Sequence, residues 1–188
     1  MKISFSVIVV AYKSRSFIAC CLGSLSKAVR GFEVEVHVID NASNDGIGKF
    51  IEKEFPYVKF TQNEENIGFG SACNQGAQLA TRDYLVFLNP DTIVSEKFFS
   101  SLRNAIQELP NIGILSAMLY DGHGRLLPES ARRVPSIKSA VNKAFGRKGT
   151  HSQYYDVIDA TQYQEIEVTP GAAMLIEKSK FENLGGFD

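Results

Sequence analysis

Apolar residues fall along the first half of the chain in two alternating rhythms. Phe5 to Ala11 (FSVIVVA) is a short, continuous, β-branched run, the pattern of a strand buried on both faces. From Ser14 to Val29 the rhythm changes: Phe17, Cys21, Leu25 and Ala28 recur at helical spacing, and Gly31 follows as a C-terminal stop. Val34 to Ile39 returns to strand character. The polar stretch Asn41 to Gly46 then leads, as a loop, into a short helix near Gly48 to Phe55. Val58 to Thr61 is a weak third strand. Phe69, Ala72, Cys73, Gly76, Ala77 and Ala80 mark a helix with a small-residue face, suited to close packing on a sheet. Tyr84 to Leu88 (YLVFL) is a fourth strand. Phe98, Phe99, Leu102, Ala105, Ile106 and Leu109 form an amphipathic helix ahead of a strand around Ile112 to Ala117.

This alternation predicts right-handed βαβ units and a mainly parallel sheet. Past Tyr120 the rhythm breaks. Asp121-Gly122-His123-Gly124 has the composition of a hairpin turn, and residues 130 to 165 read as a long loop, basic then polar, with one short helix. Order returns at Glu165 to Thr169 and at Ala172 to Glu177, followed by a short helix from near Lys178. The expected organisation is an α/β half over residues 1–118 and a second part over 119–188, within one continuous domain.

Composition changes this picture little. The 188 residues are 44% hydrophobic and 22% charged, ordinary globular values with mass for a real core. Lys and Arg number 20 against 21 Asp and Glu, so no excess of cations exists to neutralise a phosphate backbone, and nucleic acid is not an expected partner. Cys20, Cys21 and Cys73 are too few and wrongly spaced for a disulfide framework or zinc site, and small apolar packing suits them better. His37, His123 and His151 show no ligand spacing. No apolar run approaches the roughly 20 residues of a membrane span, and no leader-type cleavage site follows Met1. A reducing cytoplasm is the expected location, with room for peripheral association at the inner face of a membrane.

Three strand ends carry polar clusters: Ala11-Tyr12-Lys13-Ser14, Asp40-Asn41-Ala42-Ser43 and Asn89-Pro90-Asp91-Thr92. In an open α/β sheet, ligands bind beyond the carboxyl ends of the strands. Each cluster also has a plain structural reading, since Asp40 or Ser43 can cap a helix and Asn-Pro-Asp-Thr is a good turn. Together they weigh more, because carboxylates ending two strands of one sheet converge on one crevice. No Gly-x-Gly-x-x-Gly and no Walker lysine loop follows a strand, which argues against a dinucleotide-dependent oxidoreductase. Gly68 and Gly70 precede the third helix instead, as a close backbone approach or a tight turn.

Five segments in order carry a resemblance that spans nearly the whole chain: SVIVVAY (Ser6 to Tyr12), VIDNASNDG (Val38 to Gly46), NIGFGSACNQG (Asn66 to Gly76), FLNPDT (Phe87 to Thr92) and PGAAMLIEKSKFENLGGFD (Pro170 to Asp188). With them the chain resembles the family 2 glycosyltransferases of GT-A fold, especially rhamnosyltransferase-like members. The resemblance implies a Rossmann-like α/β/α sandwich with a mainly parallel sheet and a small antiparallel element. It implies sugar transfer with inversion, from a nucleotide-diphosphate sugar to a saccharide or lipid-linked acceptor, in polysaccharide, O-antigen or capsule biosynthesis. Rhamnose on a thymidine carrier is a lean at family level.

The same resemblance places Ala11, Tyr12 and Asp40 around the nucleoside, where a carboxylate can accept from base or ribose donors. It makes Asn89-Pro90-Asp91 the short acidic motif that holds Mg²⁺ or Mn²⁺ on the diphosphate. Asn89 stands where many relatives have Asp, so Asp91 is the implied metal contact and Asn89 a neutral hydrogen-bonding neighbour. Asn66, Gly68 and Asn74 match the motif beside the donor, although a capped helix with a close approach explains Asn74 equally well. Arg132 and Arg133 stand where relatives often carry basic residues, suited to a diphosphate or to a solvated loop. Gly171 and Ala172 match a small-residue stretch that leaves room for the sugar.

Inverting enzymes need a general base for the acceptor hydroxyl, and the resemblance places it in an acidic motif beyond Asp188. The expectation is therefore a donor-binding fragment that transfers sugar poorly or not at all. A nucleotidyltransferase shares the nucleotide-binding sheet and metal aspartate, but Tyr12-Lys13-Ser14-Arg15 is a poor substitute for its basic glycine-rich loop. A catalytically silent binding domain is the alternative from another class.

Overall fold

The computed structural model describes residues 3–109, 111–134, 155, 158–159 and 161–188. It contains strands β1 (Ser4–Ala11), β2 (Glu33–Asp40), β3 (Val58–Gln62), β4 (Tyr84–Leu88), β5 (Ile114–Ser116) and β6 (Ala173–Glu177). The helices are α1 (Arg15–Ala28), α2 (Ile47–Glu54), α3 (Phe69–Leu79), α4 (Phe98–Glu108) and α5 (Lys178–Asn183), with a 3₁₀ turn at Pro128–Ser130. The six strands form one sheet in the order β3-β2-β1-β4-β6-β5. β1 runs parallel to β2 and β4, and β2 runs parallel to β3. β6 is antiparallel to β4, with Tyr84 opposite Glu177 and Leu88 opposite Ala173. This is the expected α/β class, mainly parallel with an antiparallel element.

Every residue of β1 is buried, which is why its sequence shows no polar alternation. Ile8 and Val10 face a cluster with Ile39, Leu85, Phe87, Met174 and Ile176, closed by Ala72, Cys73 and Ala77 of α3. A Cβ on Gly76 would lie 2.5 Å from Ile8 Cγ2, so a side chain there would push α3 off the sheet. On the opposite face of β1 the Phe5 ring meets Phe99 of α4 at 5.2 Å between centroids. Large apolar side chains fully buried in this way contribute about 1.5–3 kcal/mol each.

Near the amino ends of β1 and β2 the core holds a polar network instead. Glu35, 7% exposed, accepts from Ser6 Oγ (2.6 Å), Lys59 Nζ (2.8 Å), Thr81 N–H (2.6 Å) and Thr81 Oγ1 (3.0 Å). Burial alone would raise its carboxyl, but these donors outweigh that and hold it far below the usual carboxylate range. His37 Nε2 lies 3.4 Å from Glu35 Oε1, and burial lowers the imidazole despite that neighbour.

Several expectations shift. The strand expected around Ile112 to Ala117 is cut to Ile114–Ser116 and lies at the sheet edge outside β6, with Ile114 exposed. Residues 165–169 form no strand, and only Val168 bridges, to Arg132. The short helix expected within 130 to 165 falls largely outside the described residues, as does His151. Cys21 and Cys73 are buried as expected of small packing residues, whereas Cys20 is exposed.

The chain divides into two compact units, Met1–Leu115 with Gly171–Asp188, and Ser116–Pro170. The second unit holds the turn expected at Asp121 to Gly124: Tyr120 bridges Leu126, and Asp121 Oδ1 accepts the N–H of His123 (2.8 Å) and Arg125 (2.9 Å). Among the described residues, no helix is long and apolar enough to cross a membrane.

Candidate functional site

From β1 the chain passes outward through β2 to β3, then returns to β4 on the other side of β1. The crevice at such a reversal, beyond the carboxyl ends of the strands, is where ligands enter this class of sheet. A cleft of about 420 Å³ lies there. Its walls are Tyr12, Lys13, Ser14 and Phe17 after β1, Asn41 after β2, Asn66 and Phe69 before and in α3, and Asn89, Pro90 and Asp91 after β4.

The first wall is held from beneath. Asp40 is fully buried; its carboxylate accepts the Ser43 hydroxyl and the Ser43 N–H (3.3 Å). Ser43 Oγ in turn accepts the N–H of Lys13 at 2.9 Å, and Asn41 N–H donates to the Ala11 carbonyl at 2.8 Å. Lys13, Ala42 and Asn44 all have positive φ (51°, 61° and 52°), and such backbone costs of order 1–3 kcal/mol per residue. The Asp40–Ser43–Lys13 chain is what holds two strained loops together and leaves Tyr12 pointing out.

Glycine and amides set the second wall. Gly68 caps α3 with φ 86° and ψ 163°, a region that side chains exclude. Asn66 Oδ1 accepts its N–H at 3.0 Å, and Asn41 Nδ2 donates to its carbonyl at 3.1 Å. Asn41 Oδ1 accepts from Asn63 Nδ2 at 2.9 Å, and Asn63 and Gln75 exchange amide bonds at 3.0 and 2.8 Å.

The third wall is the turn after β4. The Asn89 carbonyl accepts from Thr92 Oγ1 (2.7 Å), Thr92 N–H (3.2 Å) and Cys21 Sγ (3.7 Å), while Asn89 N–H donates to the Ala172 carbonyl (2.9 Å). Burial pushes the Cys21 thiol up to about 12, so it stays protonated as a donor beneath this turn. Asp91 at the tip is exposed to solvent.

Of the residues marked from sequence, Tyr12, Asn66, Asn89 and Asp91 meet in the cleft. Ala11, Asp40 and Gly68 lie behind or beside its walls. Gly171 is exposed on the segment whose next residue, Ala172, bonds Asn89. Asn74 instead bonds the backbone of Phe187. Arg132 belongs to the second unit, where its carbonyl accepts the Val168 N–H at 3.1 Å. Arg133 stacks over Tyr155 at 4.7 Å.

Sequence reading missed two aromatic walls. Helical spacing groups Phe17 and Phe69 with the packing faces of their helices, yet they are 55% and 46% exposed in the cleft, beside Tyr12 at 47%. Both sit in the first turn of a helix at the cleft mouth. Position in that turn is the signal that could have found them.

The fold and its cleft define a GT-A type α/β domain with its opening at the strand reversal. The family model described as glycosyl transferase family 2 matches residues 6–185, and the chain belongs to that family. It is 27% identical over 203 residues to an N-acetylglucosaminyl-diphospho-decaprenol L-rhamnosyltransferase of Mycobacterium tuberculosis, covering 97% of this chain and 64% of that protein. The chain thus spans less than two thirds of the curated relative's length. Among solved structures it resembles S. aureus TarS 1-349 in complex with UDP-GlcNAc, at TM-score 0.65 and 22% identity over 97% of this chain and 48% of that one. It likewise resembles the mannosyltransferase PcManGT of Pyrobaculum calidifontis in complex with GDP-Man and Mn²⁺, at TM-score 0.65 and 19% identity over 100% of this chain and 48% of that one.

Proposed function

We propose that the cleft binds a nucleotide-diphosphate sugar and that the chain is the donor-binding part of an inverting transferase acting on a saccharide or lipid-linked acceptor. The observation that carries this reading is the meeting, in one cleft, of three half-exposed aromatic rings and one exposed carboxylate. Tyr12, Phe17 and Phe69 offer faces on which a base stacks, at about 1–3 kcal/mol per base where such stacking has been measured. Asp91, in the same cleft, is assigned to the diphosphate end.

Among the described residues, no group of three or more His, Cys, Asp or Glu could hold a metal. One carboxylate is nevertheless a fitting donor set for a hard cation whose other ligands are substrate phosphates and water. Asp91 would hold Mg²⁺ or Mn²⁺ in this way, with Asn89 beside it. When bound, the ion supplies charge neutralisation for the departing diphosphate. The Mn²⁺ in the mannosyltransferase complex supports the use of a divalent cation. In the transfer, the acceptor oxygen forms its bond to the anomeric carbon as the carbon–diphosphate bond breaks on the opposite face. The acceptor proton passes to a general-base carboxylate, which is expected in an acidic motif beyond Asp188. The relative named as an N-acetylglucosaminyl-diphospho-decaprenol L-rhamnosyltransferase supports a lipid-linked saccharide acceptor.

Calorimetry with UDP-, GDP- and dTDP-sugars and Mn²⁺ tests the reading. Saturable binding of at least one of them is expected, weakened at least tenfold in Asp91→Ala. Absence of binding across the panel, or metal-independent binding that Asp91→Ala leaves unchanged, overturns it.

A further inference from the structure

The segment that ends the chain is latched onto the helix that walls the cleft. Asn74 lies on α3, and its side-chain amide makes two bonds to one residue: Nδ2–H donates to the Phe187 carbonyl at 2.8 Å, and Oδ1 accepts the Phe187 N–H at 2.9 Å. This satisfies both backbone groups of Phe187 as a strand neighbour would. The approach depends on two glycines. A Cβ on Gly186 would stand 2.5 Å from Asn74 Oδ1, and Gly186 also has φ +86°. A Cβ on Gly70, in the first turn of α3, would stand 3.1 Å from the Asp188 carbonyl oxygen and 3.3 Å from Phe187 Cβ.

The latch puts the Phe187 ring against Phe87 (5.1 Å) and Phe181 (5.4 Å) in the core cluster. It also sets that ring 6.5 Å from Phe69, a wall of the cleft. Phe69 therefore borders both the cleft and the Phe187 ring. A base that packs on Phe69 restrains a ring that also borders the latched segment.

We propose that Asn74 is a positioning residue whose latch couples occupancy of the donor cleft to the docking of residues 185–188, with Phe69 as the shared element. Coupling of this kind is reciprocal: a donor that orders Phe69 tightens the latch, and a formed latch tightens donor binding. The proposal rests on the donor reading of the cleft. It gives Asn74 a task on the side of α3 that does not touch donor. The position of residues 185–188 is then set from the donor site itself.

Amide hydrogen exchange by NMR on the wild-type chain, with and without the nucleotide-diphosphate sugar and Mn²⁺ that bind it, tests both halves. The Phe187 N–H is expected to exchange slowly in the free protein and at least threefold more slowly with donor, while amides of β3 stay unchanged. Asn74→Ala should expose that amide and weaken donor binding about three- to tenfold, although Asn74 is not in the cleft. Asn74→Asp keeps only the acceptor half of the latch and should fall between, and Phe187→Tyr should restore what Phe187→Ala loses. Should Asn74→Ala disturb the fold, Gly70→Ala presses on the same segment from the helix and should reproduce the loss of donor-dependent protection. Unchanged donor affinity in a folded Asn74→Ala, or no donor-dependent change at Phe187, overturns the coupling. If wild type binds no donor, the reading of the cleft fails; the Asn74→Ala effect on Phe187 exchange still decides whether the latch exists.

Discussion

Strand β2 carries a buried carboxylate near each end, and the two are satisfied in different ways. Glu35 gathers donors from β1, β3 and the segment before β4, so that one side chain fastens several elements. Asp40 turns back on Ser43, three residues away, and through Ser43 ties the loop after β2 to Lys13 in the loop after β1. A third carboxylate, Asp91, ends β4 and stands in solvent. Carboxylates with partners inside the chain hold the protein's shape. The one left open at the cleft is the one available to a ligand.

The largest effect should come from breaking the Glu35 end. Glu35→Ala leaves the buried Ser6 hydroxyl and the Thr81 N–H without their acceptor, and a loss of about 3 kcal/mol is expected from urea unfolding. Acid should remove part of the same stability without mutation. The folded-state carboxyl of Glu35 is depressed, so its contribution is complete above the unfolded value of about 4.3 and is lost as pH falls below it. His37 is also depressed and contributes a decline that begins below about 6.5. In Glu35→Gln the limb below about 4.3 should flatten, as read from urea midpoints across pH.

Cutting the Asp40 loop should cost less. Asp40→Asn keeps an acceptor for Ser43 and should lose about 1 kcal/mol of stability, with donor affinity falling as Tyr12 loses its support. At the open end the order of effects reverses. Tyr12→Ala should leave stability within about 0.5 kcal/mol while weakening nucleotide binding about tenfold, or about 1.4 kcal/mol. The smallest stability effect should be that of Asp91→Ala. A fall in its unfolding midpoint as large as that of Asp40→Asn would show that Asp91 holds shape, and would erase the contrast.

How much of this was legible in the sequence follows from the range of each interaction. Strands such as FSVIVVA and YLVFL declared themselves because a doubly buried strand needs an unbroken apolar run. The close-packing face of α3 was visible in Gly76 and its small neighbours. Asp40 and Asp91 are the same letter at the ends of two strands, and only the fold of the following loop separates them. A 3.6-residue period marks a face but not where the neighbouring layer stops, so Phe17 and Phe69 read as core. The Asn74 latch joins residues 113 apart, and no local pattern carries such a pairing.

The place of β6 in the sheet bears on how the protein comes to be folded. β6 lies between β4 and β5, and its pairing joins Tyr84 to Glu177 across more than ninety residues. On a ribosome, β1 to β4 can assemble while the far edge of β4 still has no neighbour. That edge closes only when residues 173–177 emerge. Long-range pairing of this kind is slow, because a large loop must close before any bond rewards it. The nascent chain therefore carries an open strand edge next to the future cleft, and this is the interval in which a chaperone or a second chain would find something to hold.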